Sequence, residues 1–368
     1  MNPRFRPTVE RLEDRWCPAL TTTLRGGTLT ISGSADNGAI GIVQDATTAG
    51  TITVDDGSTA VSGSPFTGVS NIRLNLTSAD DQVTIDLGGQ TLKGSVVANL
   101  GDGANNLSVV NGQIGGRLAV RAGNEDDVVT LGDGTNPLTV RDADIRLDGG
   151  MDTLMVKSGV DVTRSLVTAY VNKWTLEKGA TADNVFIRGG SGGNTIDVAG
   201  DVTGDLIVDS FFRSGSDDGT SLDVTGGVGG NLIFVGSNQD DTLTVSGEVG
   251  GGLAAATLDG ADTVSVTGGV GGRLSLDGGA GNDQLTVDCK VGGRTSVSAG
   301  AGDDALTIGA SADLTGAAMV STGSGNDSVT VDEAATFGRL LINGGTGTDT
   351  FTGTKTRTGL TVIGVELP

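Results

Sequence analysis

Aspartate residues at Gly-rich turns are the side chains of this sequence whose spacing points most clearly to chemistry. The element Asp-x-apolar recurs at Asp241, Asp262, Asp283 and Asp304, and successive aspartates lie 21 residues apart. If successive turns stack, their carboxylates form one column with backbone carbonyls between them. Oxygen ligands of this kind bind hard cations, and an acidic surface attracts cations in general. The chemistry that these residues suggest is therefore cation binding.

A second interpretation of the same turns is purely structural. Asp and Asn side chains often hydrogen-bond the backbone of their own turn. Asn106, Asn172 and Asn194 occupy the same place in the repeat without carrying a charge. Both interpretations remain open from the sequence.

The repeat that carries the aspartates predicts a fold made of short strands. Each unit reads as an apolar strand, a Gly-rich turn, a second strand of the type Asp-x-Leu-Thr-Val and a Val-Gly-Gly-Arg corner, with units of 20–26 residues. Alternation within a strand sends Leu285 and Val287 inward and Gln284, Thr286 and Asp288 outward. A fixed period in this range is typical of a solenoid, whose units bury their apolar faces by stacking. We therefore predict an all-β, single-stranded parallel β-helix (a β-solenoid) of about 13 coils.

The two ends of the chain differ from the repeats. Residues 1–19 are predicted to be an export-type segment, disordered or processed, and residues 20–68 an irregular β cap or first coils, followed by the solenoid over 69–368. The apolar run at 360–365 either folds over the end of the rod or associates with another molecule, so end-to-end self-association is one expectation. Trp174, in a bulky coil, is expected to pack in the core rather than to bind a ligand.

Composition excludes several classes of function. Acidic residues number 45 against 23 basic ones, a net charge of −22, so nucleic acid is not expected as a partner. No run of 18 apolar residues is present, so no membrane-spanning helix is expected. His is absent, and Cys17 and Cys289 lie far apart, which removes His-based catalysis and the usual zinc sites.

Catalysis by carboxylates is the remaining enzymatic alternative. Acidic pairs such as Asp80-Asp81 and Asp303-Asp304 alternate across a strand or turn, so their carboxylates are not expected to converge on one bond. Aromatic residues are 3% of the chain, which is few for sugar-binding platforms. We therefore predict that the chain is not an enzyme, and we keep an extracellular polysaccharide lyase or hydrolase of the parallel β-helix type as the alternative.

The Gly/Asp turns resemble the calcium-binding nonapeptides of RTX proteins. Residues 278–286 and 344–352 each fit the pattern GGxGxDxUx, and residues 299–307 and 322–330 lack only its first Gly. In RTX proteins the nonapeptides follow one another directly, whereas here one occurs in each coil. The resemblance implies calcium in the last four coils. The candidate ligands are Asp283, Asp304, Asp327, Asp349, Asp303 and Asn282.

The N-terminal segment 6–19, RPTVERLEDRWCPA, closely resembles the leading segment of many large surface or secreted proteins of planctomycete bacteria. The similarity is carried by Glu10, Leu12, Glu13, Arg15 and the Pro-Ala pair that ends the segment. It implies export to the cell envelope or the medium. With the small polar outward faces of the repeats, it predicts a secreted or cell-surface structural or adhesion-type protein, whose partners are extracellular polysaccharide or cell-envelope components.

Overall fold

The computed structural model describes residues 20–34, 38–57, 59–210 and 218–365 of the chain. The predicted export-type segment, 1–19, lies outside the described residues. Within the described ranges the chain is built from strands and turns, and none of it forms a helix long and apolar enough to cross a membrane.

The strands are numbered in chain order, and most are four or five residues long. They are β1 Thr21–Arg25, β2 Thr28–Ser32, β3 Ala39–Gln44, β4 Ile52–Asp55, β5 Asn71–Asn75, β6 Gln82–Leu92, β7 Val96–Asn99, β8 Asn106–Asn124, β9 Val128–Leu131, β10 Leu138–Gly149, β11 Thr153–Val156, β12 Val160–Val171, β13 Lys173–Leu176, β14 Thr181–Gly189, β15 Asn194–Val198, β16 Asp201–Val202, β17 Leu206–Asp209, β18 Thr220–Val224, β19 Leu232–Val235, β20 Thr242–Val245, β21 Leu253–Ala256, β22 Thr263–Val266, β23 Leu274–Ala280, β24 Gln284–Val287, β25 Lys290–Val291, β26 Thr295–Ala301, β27 Ala305–Ile308, β28 Asp313–Ser324, β29 Ser328–Val331, β30 Thr336–Asn343, β31 Thr350–Thr352 and β32 Leu360–Ile363.

The strands stack into a parallel β-solenoid of about 13 coils, as the repeat predicts. Each coil contributes to three walls. The first wall contains the Asp-x-apolar strands and runs from β6 through β20, β22 and β24 to β31. The second wall is narrow and in several coils is a single bridged residue, as at Val228, Val249 and Val270. The third wall runs from β5 through β19, β21 and β23 to β32.

The interior is a continuous apolar column enclosed by the three walls. In the coil that begins at Asp241, the inward apolar side chains are Leu243, Val245, Val249, Leu253 and Ala255, each at most 6% exposed. The next coils repeat these positions at intervals of 21 residues, so like side chains stack on like. A single coil leaves this face open to water, and stacking is what buries it.

The same alternation holds in detail where it was predicted. Leu285 and Val287 are buried at 1% and 0% exposure, whereas Gln284 is exposed and Thr286 and Asp288 are half-buried. Elsewhere in the first wall, Trp174 is fully buried between its register partners Leu154 and Ile196, so the prediction that it packs in the core is confirmed.

The N-terminal end of the rod is covered by hairpins. β1 pairs with β2 and β3 with β4 in antiparallel fashion, and these are the antiparallel pairings among the described strands. β2 then pairs in parallel with β5, and β3 with β6. Because a solenoid end presents unpaired backbone groups, the hairpins give the first full coil an ordered surface on which to stack.

The C-terminal end is covered differently. β32, Leu360–Ile363, continues the third wall by pairing in parallel with β30, rather than folding over the rod. The Arg357 guanidinium lies 4.6 Å from the centre of the Phe337 ring and donates a hydrogen bond of 2.9 Å to the Asp332 carbonyl. Lys355 lies 5.5 Å from the centre of the Phe351 ring. Both cations therefore lie against aromatic rings of the last coils.

Candidate functional site

The aspartates that open the strands of the first wall form one buried column along the rod. Asp283, Asp304, Asp327 and Asp349 lie in register in successive coils, and each is at most 2% exposed. The backbone N–H of Asp283 donates to Oδ1 of Asp304 at 2.9 Å, Asp304 donates to Asp327 at 2.9 Å, and Asp327 to Asp349 at 3.0 Å. The stacking predicted for these residues is therefore present, with the side chains directed inward.

The column extends toward the N-terminus with the same bond pattern. Asp241 donates to Asp262, and Asp127 donates to Oδ1 of Asp152 at 2.9 Å. The predicted register is wrong by one residue at one place: Asn105, and not Asn106, lies in the column between Asp81 and Asp127. Neither the cation-binding nor the own-turn interpretation of the sequence predicted the main hydrogen bond of these residues. Most of the carboxylates accept from a backbone N–H of the preceding coil and not from their own turn.

The second oxygen of these carboxylates faces the interior of the corner. Oδ2 of Asp283, Asp304 and Asp327 is buried and has no hydrogen-bond partner among the described residues. At Gly278 an added Cβ would lie 2.5 Å from Oδ2 of Asp283 and 2.5 Å from the Ala299 carbonyl. Gly278 therefore packs closely against the aspartate of its own turn, whereas the next two coils accommodate Ala299 and Thr322 at the same position.

Burial makes several carboxyl groups of the column, among them Asp262 and Asp304, weaker acids. Loss of hydration, followed by the charges of nearby aspartates, raises the pKa of Asp152 to about 7. The same dominant cause raises the pKa of Asp127, Asp262 and Asp304 to about 6, against a usual value of 3.8. Backbone hydrogen bonds oppose the shift but do not cancel it. When such a group is protonated it carries no charge, so the electrostatic repulsion between neighbouring carboxyl groups of the column is reduced.

A second, exposed column lies one residue earlier in the chain. The backbone N–H of Asp303 donates to Oδ1 of Asn282 at 2.9 Å, and that of Asn326 donates to Asp303 at 2.7 Å. Asp303 is exposed and Asp304 buried, and the pair Asp80-Asp81 is divided in the same way. The two carboxylates of each pair therefore point to opposite sides of the wall, as the alternation predicts.

The six predicted calcium ligands fall into these two columns. Asp283, Asp304, Asp327 and Asp349 belong to the buried column, and Asp303 and Asn282 to the exposed one. Among the described residues, no group of three or more Asp, Glu or Cys side chains is arranged to hold a metal ion. Calcium needs about six to eight converging oxygens, and these side chains instead bond the backbone of the neighbouring coil. Calcium binding stays a prediction, with its own test below.

Sequence reasoning missed a cluster of basic side chains on the third wall. Arg273, Arg294 and Arg339 line one groove of about 400 Å³ together with Met319 and Leu341. The available signal was the Val-Gly-Gly-Arg corner, which places an arginine at the same point of two successive coils. No family model, curated protein or solved structure matches this chain.

Proposed function

We propose that this chain is a structural rod of the cell surface or extracellular space, acting as a stiff spacer or scaffold. The observation that supports this most directly is the continuity of the stack. Parallel pairing follows the third wall without a break from β5 to β32, and the core beneath it is apolar throughout. Bending such a rod separates hydrogen-bonded strands on one side, so it resists bending along its whole length.

The buried Asp/Asn column supports the same role. It adds a side-chain to backbone hydrogen bond at the corner of most coils, in addition to the backbone ladders of the walls. Hydrogen bonds to charged or polar partners in dry surroundings add to stability and fix one geometry. The column therefore reinforces the corner at which each coil meets the first wall.

Location outside the cell rests on the resemblance of the N-terminal segment 6–19 to export-associated segments. The outward faces, rich in Thr, Ser, Asn and Asp, suit a surface in contact with water and with polysaccharide or other envelope components. The acidic pairs lie on opposite sides of the first wall, so the geometry gives the lyase or hydrolase alternative no support. End-to-end self-association is part of the proposal as an additional property of the rod.

Small-angle X-ray scattering tests the rod. With a rise of about 4.8 Å for each coil, about 13 coils give a length on the order of 60 Å. We expect a rod-like profile of this length at low protein concentration, and a length that grows with concentration if ends associate. A compact profile, or a flexible chain, would contradict the proposal.

Fractionation of cells that produce the chain tests its location. We expect the full-length protein in the envelope or the medium, and a variant lacking residues 1–19 in the cytoplasm. Equal retention of both proteins in the cytoplasm would refute the extracellular role and leave the rod itself unaffected.

A further inference from the structure

A groove on the outer surface of the third wall, near the C-terminal end, is lined by three arginines. Arg273, Arg294 and Arg339 line it, and the side chains of Met319 and Leu341 contribute to its apolar part. Its volume is about 400 Å³. All three arginines are exposed, so their guanidinium groups are available to a ligand from solution.

The three arginines occupy one column of the solenoid. Leu274 pairs with Thr295, which places Arg273 and Arg294 in register in adjacent coils. Arg339 pairs with Ala317, the residue that stands in the same column in the intervening coil. Coils are about 4.8 Å apart, so the column presents a straight line of positive charges in the first, second and fourth of four successive coils.

The same column is electrically neutralised at the other end of the rod. There Arg117 forms an ion pair with Asp144, and Arg164 lies 3.8 Å from Asp142. Among the described residues, none of Arg273, Arg294 and Arg339 forms an ion pair, although acidic residues outnumber basic ones 45 to 23 in the chain.

The outward positions of the groove strands explain why these charges stay unpaired. They are Ser275 and Asp277 on β23, Ser296 and Ser298 on β26, Met319 and Ser321 on β28, and Leu341 and Asn343 on β30. Asp277, the one carboxylate in this set, does not line the groove. Like charges stacked at this spacing repel one another, and a bound anion would convert that repulsion into attraction.

Guanidinium groups are suited to particular anions. Their planar donors match the two oxygens of a carboxylate or a sulfate and form paired, charge-assisted hydrogen bonds. The groove therefore favours a ligand that carries several such groups in a row over one that carries a single charge.

The remaining surface of the groove favours an extended ligand with weakly apolar faces. Met319 is 53% exposed, and in the adjoining groove, which also contains Arg273, Ile233 is 37% exposed. The two grooves together follow the third wall from β19 to β30. Aliphatic side chains of this kind pack against the C–H faces of sugar rings, and the coil spacing is comparable with the length of one pyranose in an extended chain.

We infer that this groove binds a linear acidic polysaccharide along the axis of the rod. Its carboxylate or sulfate groups contact Arg273, Arg294 and Arg339, and its sugar rings lie on Met319, Leu341 and Ile233. The inference goes beyond the proposed scaffold role and does not depend on calcium. An extended acidic peptide is the competing ligand, and it is less suited because its side chains alternate in direction.

Isothermal titration calorimetry on the full chain tests this site. The probes are an oligogalacturonate for carboxylate, a sulfated dextran oligomer for sulfate, neutral dextran, and a polyglutamate peptide. Salt at 0.1 M limits the reach of the other charges to about 10 Å and leaves contacts in the groove largely intact. We expect at least one acidic oligosaccharide to bind, and neutral dextran not to bind.

Two triple variants locate the binding. Arg273→Gln/Arg294→Gln/Arg339→Gln should weaken it at least about 100-fold, since each lost charge-assisted contact is worth about tenfold or more. A matched control, Arg25→Gln/Arg73→Gln/Arg121→Gln, removes the same charge from exposed positions in the N-terminal coils and should bind as the unmodified chain does. Circular dichroism and thermal melts establish that both variants fold.

Three results would overturn the inference. The first is that neither acidic oligosaccharide binds. The second is that both triple variants lose binding equally, which would mean attraction to charge in general. The third is that polyglutamate binds more tightly than both oligosaccharides, which would make the groove a peptide site. None of these results bears on the length or location of the rod, so failure here is distinguishable from failure of the scaffold proposal.

Discussion

Lowering the pH from 7 to 5 should stabilise this protein, which is the opposite of the usual effect of acid on a protein rich in carboxylates. The reason is the buried column. Asp127, Asp262 and Asp304 have a pKa of about 6 in the fold and Asp152 about 7, against 3.8 for an exposed aspartate. The folded chain therefore binds more protons than the unfolded chain between these values, and its stability falls as the pH rises through 6 and 7.

The size of the effect follows from the shifts. A carboxyl whose pKa rises from 3.8 to about 6 on folding gains about 1.3 kcal/mol between pH 7 and pH 5. Three such groups, together with about 2.3 kcal/mol from Asp152 with its higher pKa, would give about 6 kcal/mol if they were independent. Interaction within one column and screening by nearby water reduce this, and we expect about 3 kcal/mol, or roughly 5 °C in the melting temperature.

The pH window separates this effect from that of the exposed acids. Hydrogen bonds from neighbouring Thr and Asn residues lower the pKa of Asp45 and Asp133 below 3.8, so these groups stay ionised down to pH 5. Protonation of surface carboxylates, which would reduce the repulsion between them, also takes place mainly below pH 5. Thermal melts at intervals between pH 7 and pH 5, followed by circular dichroism at constant ionic strength, therefore report mainly on the buried column.

Asp152→Asn identifies the residue responsible. Asn105 and Asn172 already occupy the column, and Asn172 accepts the bond from the Asp152 N–H at 3.2 Å, so an amide fits there. We expect the variant to be about 2 kcal/mol more stable than the unmodified chain at pH 7, with a weaker pH dependence. Asp201→Asn removes the same charge from an exposed position, where an amide oxygen can still accept from the Gly227 N–H, and is the control.

Two results would refute this reasoning. One is a melting temperature that falls steadily from pH 7 to pH 5. The other is equal behaviour of the Asp152→Asn and Asp201→Asn variants, which would assign the effect to net charge and not to burial.

Two further predictions concern the C-terminal coils. Calcium at millimolar concentration should raise the melting temperature of the unmodified chain, by an amount that grows with concentration, but not that of Asp283→Ala/Asp304→Ala; a melt that does not change across the titration would remove calcium from the description. Gly278→Ala should lower the stability by about 2 kcal/mol, because its Cβ would lie 2.5 Å from both Oδ2 of Asp283 and the Ala299 carbonyl. Gly269→Ala is the matched control, since its Cβ would meet only the Glu248 side chain at 4.0 Å, and equal melts of the two variants would contradict the packing argument.

The fold was accessible from the sequence because its determinants are local and repeated. The alternation that directs Leu285 and Val287 inward is set within a few residues, and the 21-residue spacing of Asp241 and Asp262 fixes the register between coils. The repeat position was assigned to Asn106 where the structure has Asn105, because the two asparagines are adjacent and both satisfy the pattern.

The environment of the site was less accessible, for physical reasons. Asp283 continues the alternation of its strand, two residues before Leu285, but a carboxyl group is not expected on the buried side, so its residue type did not indicate its burial. Its main hydrogen bond joins two coils, and a pattern within one turn does not reveal it. The arginine groove joins residues from Arg273 to Arg339, interrupted by Ala317, and its unpaired charge is visible only when the neighbours of each side chain are known.

The identical offsets between Asp241, Asp262, Asp283 and Asp304 have a consequence for how this chain can change in length. Removing 21 consecutive residues from this stretch brings together two cut ends that already belong at the same corner, with matching donors above and below. Removing a number of residues from this stretch that is not a multiple of 21 would move later residues out of register with the coils before them. In this stretch the rod can be shortened or extended by whole coils. Duplication or deletion of one repeat in the gene would therefore change the length of the rod by one coil.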